Sequence, residues 1–144
     1  MKILLINGPN LNMLGMREPE KYGAISLNDI ENALKNIAAE SQVDLESFQS
    51  NHEGELIDKI QSAREAYDGI ILNAGGYTHT SVAIRDALSA VQIPTVEVHM
   101  TNIHAREEFR HTSLLSGVCK AIVVGFGEDS YTLALEGLVD SLKK

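Results

Sequence analysis

The sequence has one cysteine, Cys119, among 144 residues. No intrachain disulfide and no cysteine-based zinc cage can form from a single thiol. Basic residues are scarce: 12 Lys and Arg stand against 20 Asp and Glu, for a formal charge of −8. A nucleic-acid binder wants a basic face, so general binding to DNA or RNA is disfavoured. Long apolar runs are also missing. The N-terminal run Ile3 to Ile6 is followed at once by Asn7-Gly8-Pro9-Asn10. A signal peptide needs an apolar stretch of about 7–15 residues and a spanning helix about 20. With a free cysteine and no export signal, a reducing cytoplasm is the expected location. No internal repeat, low-complexity tract or linker interrupts the chain, so a single domain spanning 1–144 is expected. A domain of this length can bury roughly 68–70% of its unfolded surface and needs no covalent staple.

What is present is a regular alternation of apolar patterns. Ile3 to Ile6, Ile70 to Leu72, Thr95 to Val98 and Ala121 to Val124 are short runs rich in branched aliphatics. Such runs predict strands buried on both faces. Val43 to Phe48 alternates apolar with polar, as a half-exposed edge strand does. Helical stripes lie between and after the strands. They are Leu27, Ile30, Leu34, Ile37; Leu56, Ile60, Ala63, Tyr67; Val82, Ala83, Ala87, Val91; and Tyr131, Ala134, Leu135, Leu138, Leu142. Ser26 with Asp29 predicts a capping box before the first helix. This order implies an α/β fold with parallel strands and helices on both faces. Five such units fit a flavodoxin-like three-layer sandwich with a five-stranded parallel sheet of order 2-1-3-4-5. Its ligands would bind beyond the carboxyl ends of the strands, at the switch point between strands 1 and 3.

The loops at that edge run over residues 7–23, 73–81 and 99–113. They hold three of the five arginines (Arg17, Arg106, Arg110) and four of the five histidines (His79, His99, His104, His111). Tyr22, Tyr77, Asn10, Asn73 and the pair Gly75-Gly76 lie there too. Polar loops are common, but this bias toward Arg and His in an acidic chain points to a site. Arg106 and Arg110 would share a face if His104 to Thr112 were helical. The loop after strand 1 is long for its place and reads as a lid, with Gly15 and Gly23 as hinges.

Several site classes are disfavoured. G-x-G-x-x-G, the Walker A pattern and G-x-S-x-G are absent. A receiver domain would want acids after strands 1 and 3, where this chain has Asn7 and Asn73. Cys119 precedes strand 5, at the wrong end of the sheet, and reads as a small buried side chain. His99, His104, His111 and Glu97 match no metal-ligand spacing. His99 and Glu97 share a strand face, which reads as a histidine oriented by a carboxylate. A site with no metal and no cofactor is expected. A non-enzymatic nucleotide- or flavin-binding module, or a receiver, stands as the alternative on the same fold.

Three segments resemble the type II 3-dehydroquinate dehydratases. They are Asn7 to Gly15 with Arg17-Glu18-Pro19 and Tyr22-Gly23; Ile71 to Ser81 followed by Arg85-Asp86-Ala87; and Glu97 to Arg110. Met13, Met16 and Met100-Thr101 are mild departures from the family pattern. The resemblance implies reversible conversion of 3-dehydroquinate to 3-dehydroshikimate in the shikimate pathway, without cofactor, metal or Schiff base. It implies Tyr22 as the base at C2, with Arg17 and Arg106 favouring its phenolate. Asn10 would hold a water on the enolate, and His99, charged and oriented by Glu97, would protonate the departing hydroxyl. Asn73 and the amides of Met100 and Thr101 would hold the substrate carboxylate. His79, Arg110 and Asp86 would bind ring hydroxyls, Asp86 from a neighbouring subunit. A homododecamer of four trimers is the implied assembly, with no membrane or nucleic-acid partner.

Overall fold

The computed structural model describes residues 1–16, 20 and 24–144. Five strands form one all-parallel sheet of order β2-β1-β3-β4-β5. They are β1 (Lys2–Asn7), β2 (Asp44–Gln49), β3 (Gly69–Asn73), β4 (Thr95–His99) and β5 (Ala121–Val124). The expected architecture is therefore the one observed. Four α-helices are described: α1 (Leu27–Glu40), α2 (Glu53–Ser62), α3 (Val82–Val91) and α4 (Asp129–Leu142). The capping box is complete, with Asp29 N–H donating to Ser26 Oγ and Ser26 N–H to Asp29 Oδ2, at 3.1 and 3.0 Å. It satisfies helix N–H groups that have no partner within the helix.

Strand alternation divides the core in two. Ile3, Leu5, Ile71, Val96 and Val98 meet Ile30, Leu34, Tyr131, Leu135 and Leu138 from α1 and α4. Leu4, Ile6, Ile70 and Leu72 face the opposite way and meet Leu56, Ile60, Ile84 and Leu88 from α2 and α3. Each of these aliphatic side chains contributes about 1.5–3 kcal/mol by leaving water. A strand covered on both faces gains from every residue, so its sequence shows a continuous run and not an alternation.

Two predicted stripes need correction. On α3, Val82 (59% exposed) and Ala83 face outward, and the buried stripe is Ile84, Ala87, Leu88 and Val91. The helix is apolar on most of its turns, so spacing alone does not fix which residues touch the sheet. On α1, Ala38 is the buried residue of the last turn and Ile37 is only half-buried. β5 also differs from expectation. It is the second edge of the sheet, Ala121 is exposed and Ile122 is 49% exposed, so it is not buried on both faces in this chain.

Candidate active site

The carboxyl ends of β1, β3 and β4 open onto a cleft of about 190 Å³. Its rim begins with close contact between two loops. Gly8 N–H donates to the Asn73 carbonyl at 2.7 Å, and a Cβ on Gly8 would lie 2.5 Å from the Ala74 carbonyl oxygen. Gly75 sits opposite at φ +59°, a conformation glycine adopts without strain. Gly76 lines the cleft but has ordinary φ and open space where a Cβ would stand, so backbone geometry does not require glycine there.

Asn10 also lies on the rim, in the left-handed region at φ 69°, which asparagine tolerates. Its N–H donates to Asn51 Oδ1 at 3.0 Å, while its side chain makes no capping bond to the turn that follows. Among the described residues, the Asn10 side-chain amide is not used to cap this turn. Asn51 is in turn held by Gln49 Nε2, which donates to both Asn51 Oδ1 and the Gly8 carbonyl at 3.1 Å. Sequence reasoning did not single out this brace, whose partners are about 40 residues apart.

Asn73 ends β3 and is buried except for its cleft edge. Its Oδ1 accepts from Gly75 N–H at 3.1 Å, and its Nδ2 donates to the Tyr131 hydroxyl at 2.9 Å. Tyr131, fully buried on α4, donates to Asn7 Oδ1 at 2.6 Å. Burial pushes its phenol well above the ordinary tyrosine range, so it acts as a permanent hydroxyl. These bonds fix which end of the Asn73 amide is nitrogen. One Nδ2 hydrogen is used on Tyr131, leaving the other as a donor.

β4 supplies a buried histidine–carboxylate pair. Val96 and Val98 point into the α1–α4 core, so Glu97 and His99 point to the other face. The His99 Nε2–H donates to Glu97 Oε2 at 2.5 Å, and both side chains are nearly sealed from solvent. Glu97 Oε1 accepts from Ser113 Oγ at 3.0 Å and Ser116 Oγ at 2.6 Å. Burial opposes ionisation of Glu97. Hydrogen bonds from His99 and Ser116, the imidazolium charge and the Ser113 hydroxyl outweigh it, so the carboxyl lies below its ordinary range. The predicted histidine–carboxylate pair is present, but its serine partners left no recognisable spacing.

Further residues complete the cleft. The His79 ring stacks on His99 with centroids 6.3 Å apart, and its Nδ1–H donates to the Thr112 carbonyl at 2.8 Å. Met100, Thr101, Arg106 and Arg110 line the wall beyond β4. The arginines do not share one helix, as their spacing suggested. Two separate 3-10 turns, Ile103–Ala105 and Glu108–Arg110, carry this segment. Both guanidinium groups still reach the cleft. Arg110 Nε donates to Glu107 Oε1 at 3.1 Å, and Arg106 Nη1 to Thr101 Oγ1 at 3.3 Å. Asp86 is exposed on α3 and is not among the residues lining the cleft. Arg17, Tyr22 and Gly23 lie outside the described residues.

His104 and His111 pack against each other with ring centroids 5.8 Å apart, outside the cleft lining. Among the described residues, no three His, Cys, Asp or Glu side chains gather as a metal site would require. Among the described residues, no helix is long and apolar enough to cross a membrane. Cys119, expected as a small buried side chain, is only partly buried and packs against the α2–α3 core.

The fold and cleft together define a parallel α/β protein with a buried histidine–carboxylate pair beside two arginines and two asparagines. Its relatives carry the assignment further. A family model described as dehydroquinase class II matches residues 1–139. A 3-dehydroquinate dehydratase of Prochlorococcus marinus subsp. pastoris is 58% identical over 142 residues, covering 99% of this chain and 97% of that one. A 3-dehydroquinate dehydratase of Campylobacter jejuni is 55% identical, covering 96% and 87%. The crystal structure of a type II dehydroquinase from Butyrivibrio crossotus superposes with a TM-score of 0.93 at 46% identity, covering 100% and 98%. The chain belongs to the class II dehydroquinase family.

Proposed function

We propose that this class II dehydroquinase converts 3-dehydroquinate to 3-dehydroshikimate by anti elimination through an enolate, within the shikimate pathway. The observation that carries the reading is the buried His99–Glu97 pair, set on a cleft lined by Asn10, Asn73, Arg106 and Arg110. Tyr22, as phenolate, takes the proton from C2, and the electron pair moves onto the ketone oxygen. A tyrosine phenol is a weak acid, so Arg17 and Arg106 favour the charged form of the base. The enolate oxygen is stabilised through a water on the Asn10 amide, an interaction that matters only once charge develops. Collapse of the enolate expels the C1 hydroxyl, which leaves as water with a proton from His99. Atoms balance: one C–H bond and one C–O bond break, one C=C bond forms, and the product is a conjugated enone.

Binding is assigned to a second group of residues. The substrate carboxylate sits on Asn73 Nδ2 and the amides of Met100 and Thr101, and ring hydroxyls on His79 and Arg110. Asp86 completes the site from a neighbouring subunit of a homododecamer built from trimers. Its exposed position on α3, outside its own chain's cleft, supports that reading. The exposed apolar side chains Ile122, Phe126 and Leu133 give the chain surface to bury in such an assembly. The 144 residues work as one cytoplasmic catalytic domain, needing no metal or cofactor.

Mixing the protein with 3-dehydroquinate should raise the ultraviolet absorbance of the enone. No rise at high protein concentration would refute the assignment. Tyr22→Phe should abolish most turnover while substrate binding persists, and a near-native rate would remove Tyr22 as the base.

A further inference from the structure

We infer that Ser113 and Ser116 are positioning residues that hold the shared proton of the His99–Glu97 pair on the histidine. The inference rests on the reading of His99 as the acid of the elimination. A buried imidazole–carboxyl pair carrying one proton between them has two arrangements. The proton sits on the ring, giving imidazolium and carboxylate, or on the carboxyl, giving two neutral groups. Only the first gives an imidazolium with an acidic proton to pass to a leaving hydroxyl.

Burial alone favours the neutral arrangement, because each charge loses its hydration. Glu97 is 0% exposed, so the protein must supply the bonds that water would have made. It does so on the oxygen that His99 leaves free. Ser113 Oγ and Ser116 Oγ both donate to Glu97 Oε1, at 3.0 and 2.6 Å, while Oε2 takes the His99 Nε2–H at 2.5 Å. A carboxylate oxygen accepts such bonds more strongly than a carboxylic acid oxygen, so the two hydroxyls stabilise the charged arrangement selectively.

The serines are themselves fixed. Ser113 Oγ accepts the N–H groups of Leu115 and Ser116 at 3.0 and 3.1 Å, so its single hydroxyl hydrogen is aimed at Glu97. Arg85 Nη1 donates to the Leu114 carbonyl at 2.6 Å and ties the same turn to α3. Leu115 is fully buried in the α2–α3 core and anchors the turn from below. Among the described residues, other titratable groups near the pair are His79, stacked on the His99 ring, Arg106 and Arg110 along the cleft, and Cys119. Burial and the Glu97 charge push the Cys119 thiol up to about 12, so it stays neutral.

The test combines ring nitrogen spectroscopy with kinetics on Ser116→Ala, Ser113→Ala/Ser116→Ala and the hydroxyl-retaining Ser116→Thr. In native protein with nitrogen-labelled histidine, the His99 ring should show the pattern of a ring that holds the shared proton. In the double Ala variant it should show the neutral-ring pattern. Loss of a hydrogen bond to a charged group corresponds to roughly a tenfold or larger fall in kcat for Ser116→Ala, with a further fall in the double variant. KM should stay within about threefold, because neither serine lies along the cleft. Ser116→Thr should recover both the spectrum and the rate. A purely structural role for the serines would lower the folded fraction without changing the His99 spectrum. Unchanged His99 nitrogens in the double variant, or an unchanged kcat, would overturn the inference. Absence of enone formation by the native protein would count against the dehydratase reading instead, and the spectra would still decide this one.

Discussion

Replacing Tyr131 with phenylalanine removes one oxygen from a buried polar junction between β1, β3 and α4. That oxygen donates to Asn7 Oδ1 at 2.6 Å and accepts from Asn73 Nδ2 at 2.9 Å, and the residue is 0% exposed. The space left by one oxygen is too small to admit a water that could replace it. Two buried polar groups therefore lose their partner, at about 1–3 kcal/mol each. Asn7 would be the worse affected, because among the described residues its buried Nδ2 already finds no partner. Phenylalanine recovers part of the loss through its greater apolarity, so the net fall in stability should be about 2–4 kcal/mol. For a domain of this size that corresponds to a Tm lower by roughly 6–15 °C. Thermal melts by circular dichroism measure it directly. The same change frees the Asn73 amide to rotate. If Asn73 holds the substrate in ground state and transition state alike, KM should rise several-fold while kcat changes little. Adding Asn7→Val to Tyr131→Phe should return some of the lost stability, since an apolar partner removes an unmet acceptor. A Tm within about 2 °C of native, with KM unchanged, would refute the reasoning.

Other outcomes follow from the same geometry. Gly8→Ala should destabilise the protein or lower its activity, because a Cβ there would stand 2.5 Å from the Ala74 carbonyl oxygen; native Tm and rate together would contradict the close approach. Cys119, whose thiol is pushed up to about 12 by burial and then by the Glu97 charge, should react slowly with a thiol reagent near pH 8 and rapidly after unfolding. Equal rates in the two states would show it to be accessible. Glu97 lies below its ordinary value of 4.5 in the folded protein. It should therefore stabilise the fold fully above about pH 4.5 and lose that contribution as pH falls through its lowered value. Urea midpoints measured from about pH 6 to pH 3 should fall less steeply for Glu97→Gln, and parallel curves would argue against the shift.

Much of this fold is written in local pattern. The runs at Ile3, Ile70 and Thr95 announce strands because both faces of each are covered, and Ser26 with Asp29 marks the start of α1. The stripe on α3 was harder to read. Val82-Ala83-Ile84 offers apolar residues at three consecutive angles, and only contact with the sheet decides that Ile84 is inside. β5 looks like an inner strand by composition, yet stands at an edge of this chain with Ile122 half exposed. Within the site, Asn10, Asn73, His79, His99, Arg106 and Arg110 were legible because their residue types carry chemistry and cluster in three loops. Ser113, Ser116 and the Tyr131 hydroxyl were not. Serine is common in loops, Tyr131 fits a core stripe, and the partners that give them meaning lie 16, 19 and 124 residues away.

The bond between Asn7 and Tyr131 joins the first strand to the last helix. Tyr131 follows Asn7 by 124 residues, so a ribosome delivers it long after the strand it braces. The amide of Asn7 waits, through the emergence of every other strand, for the phenol that will fix its neighbour Asn73. During that interval the nascent chain can hold much of its sheet and still lack a properly aimed amide in the cleft. The aim of the Asn73 amide is therefore set by the docking of α4 on the sheet, and not by the strand that carries it.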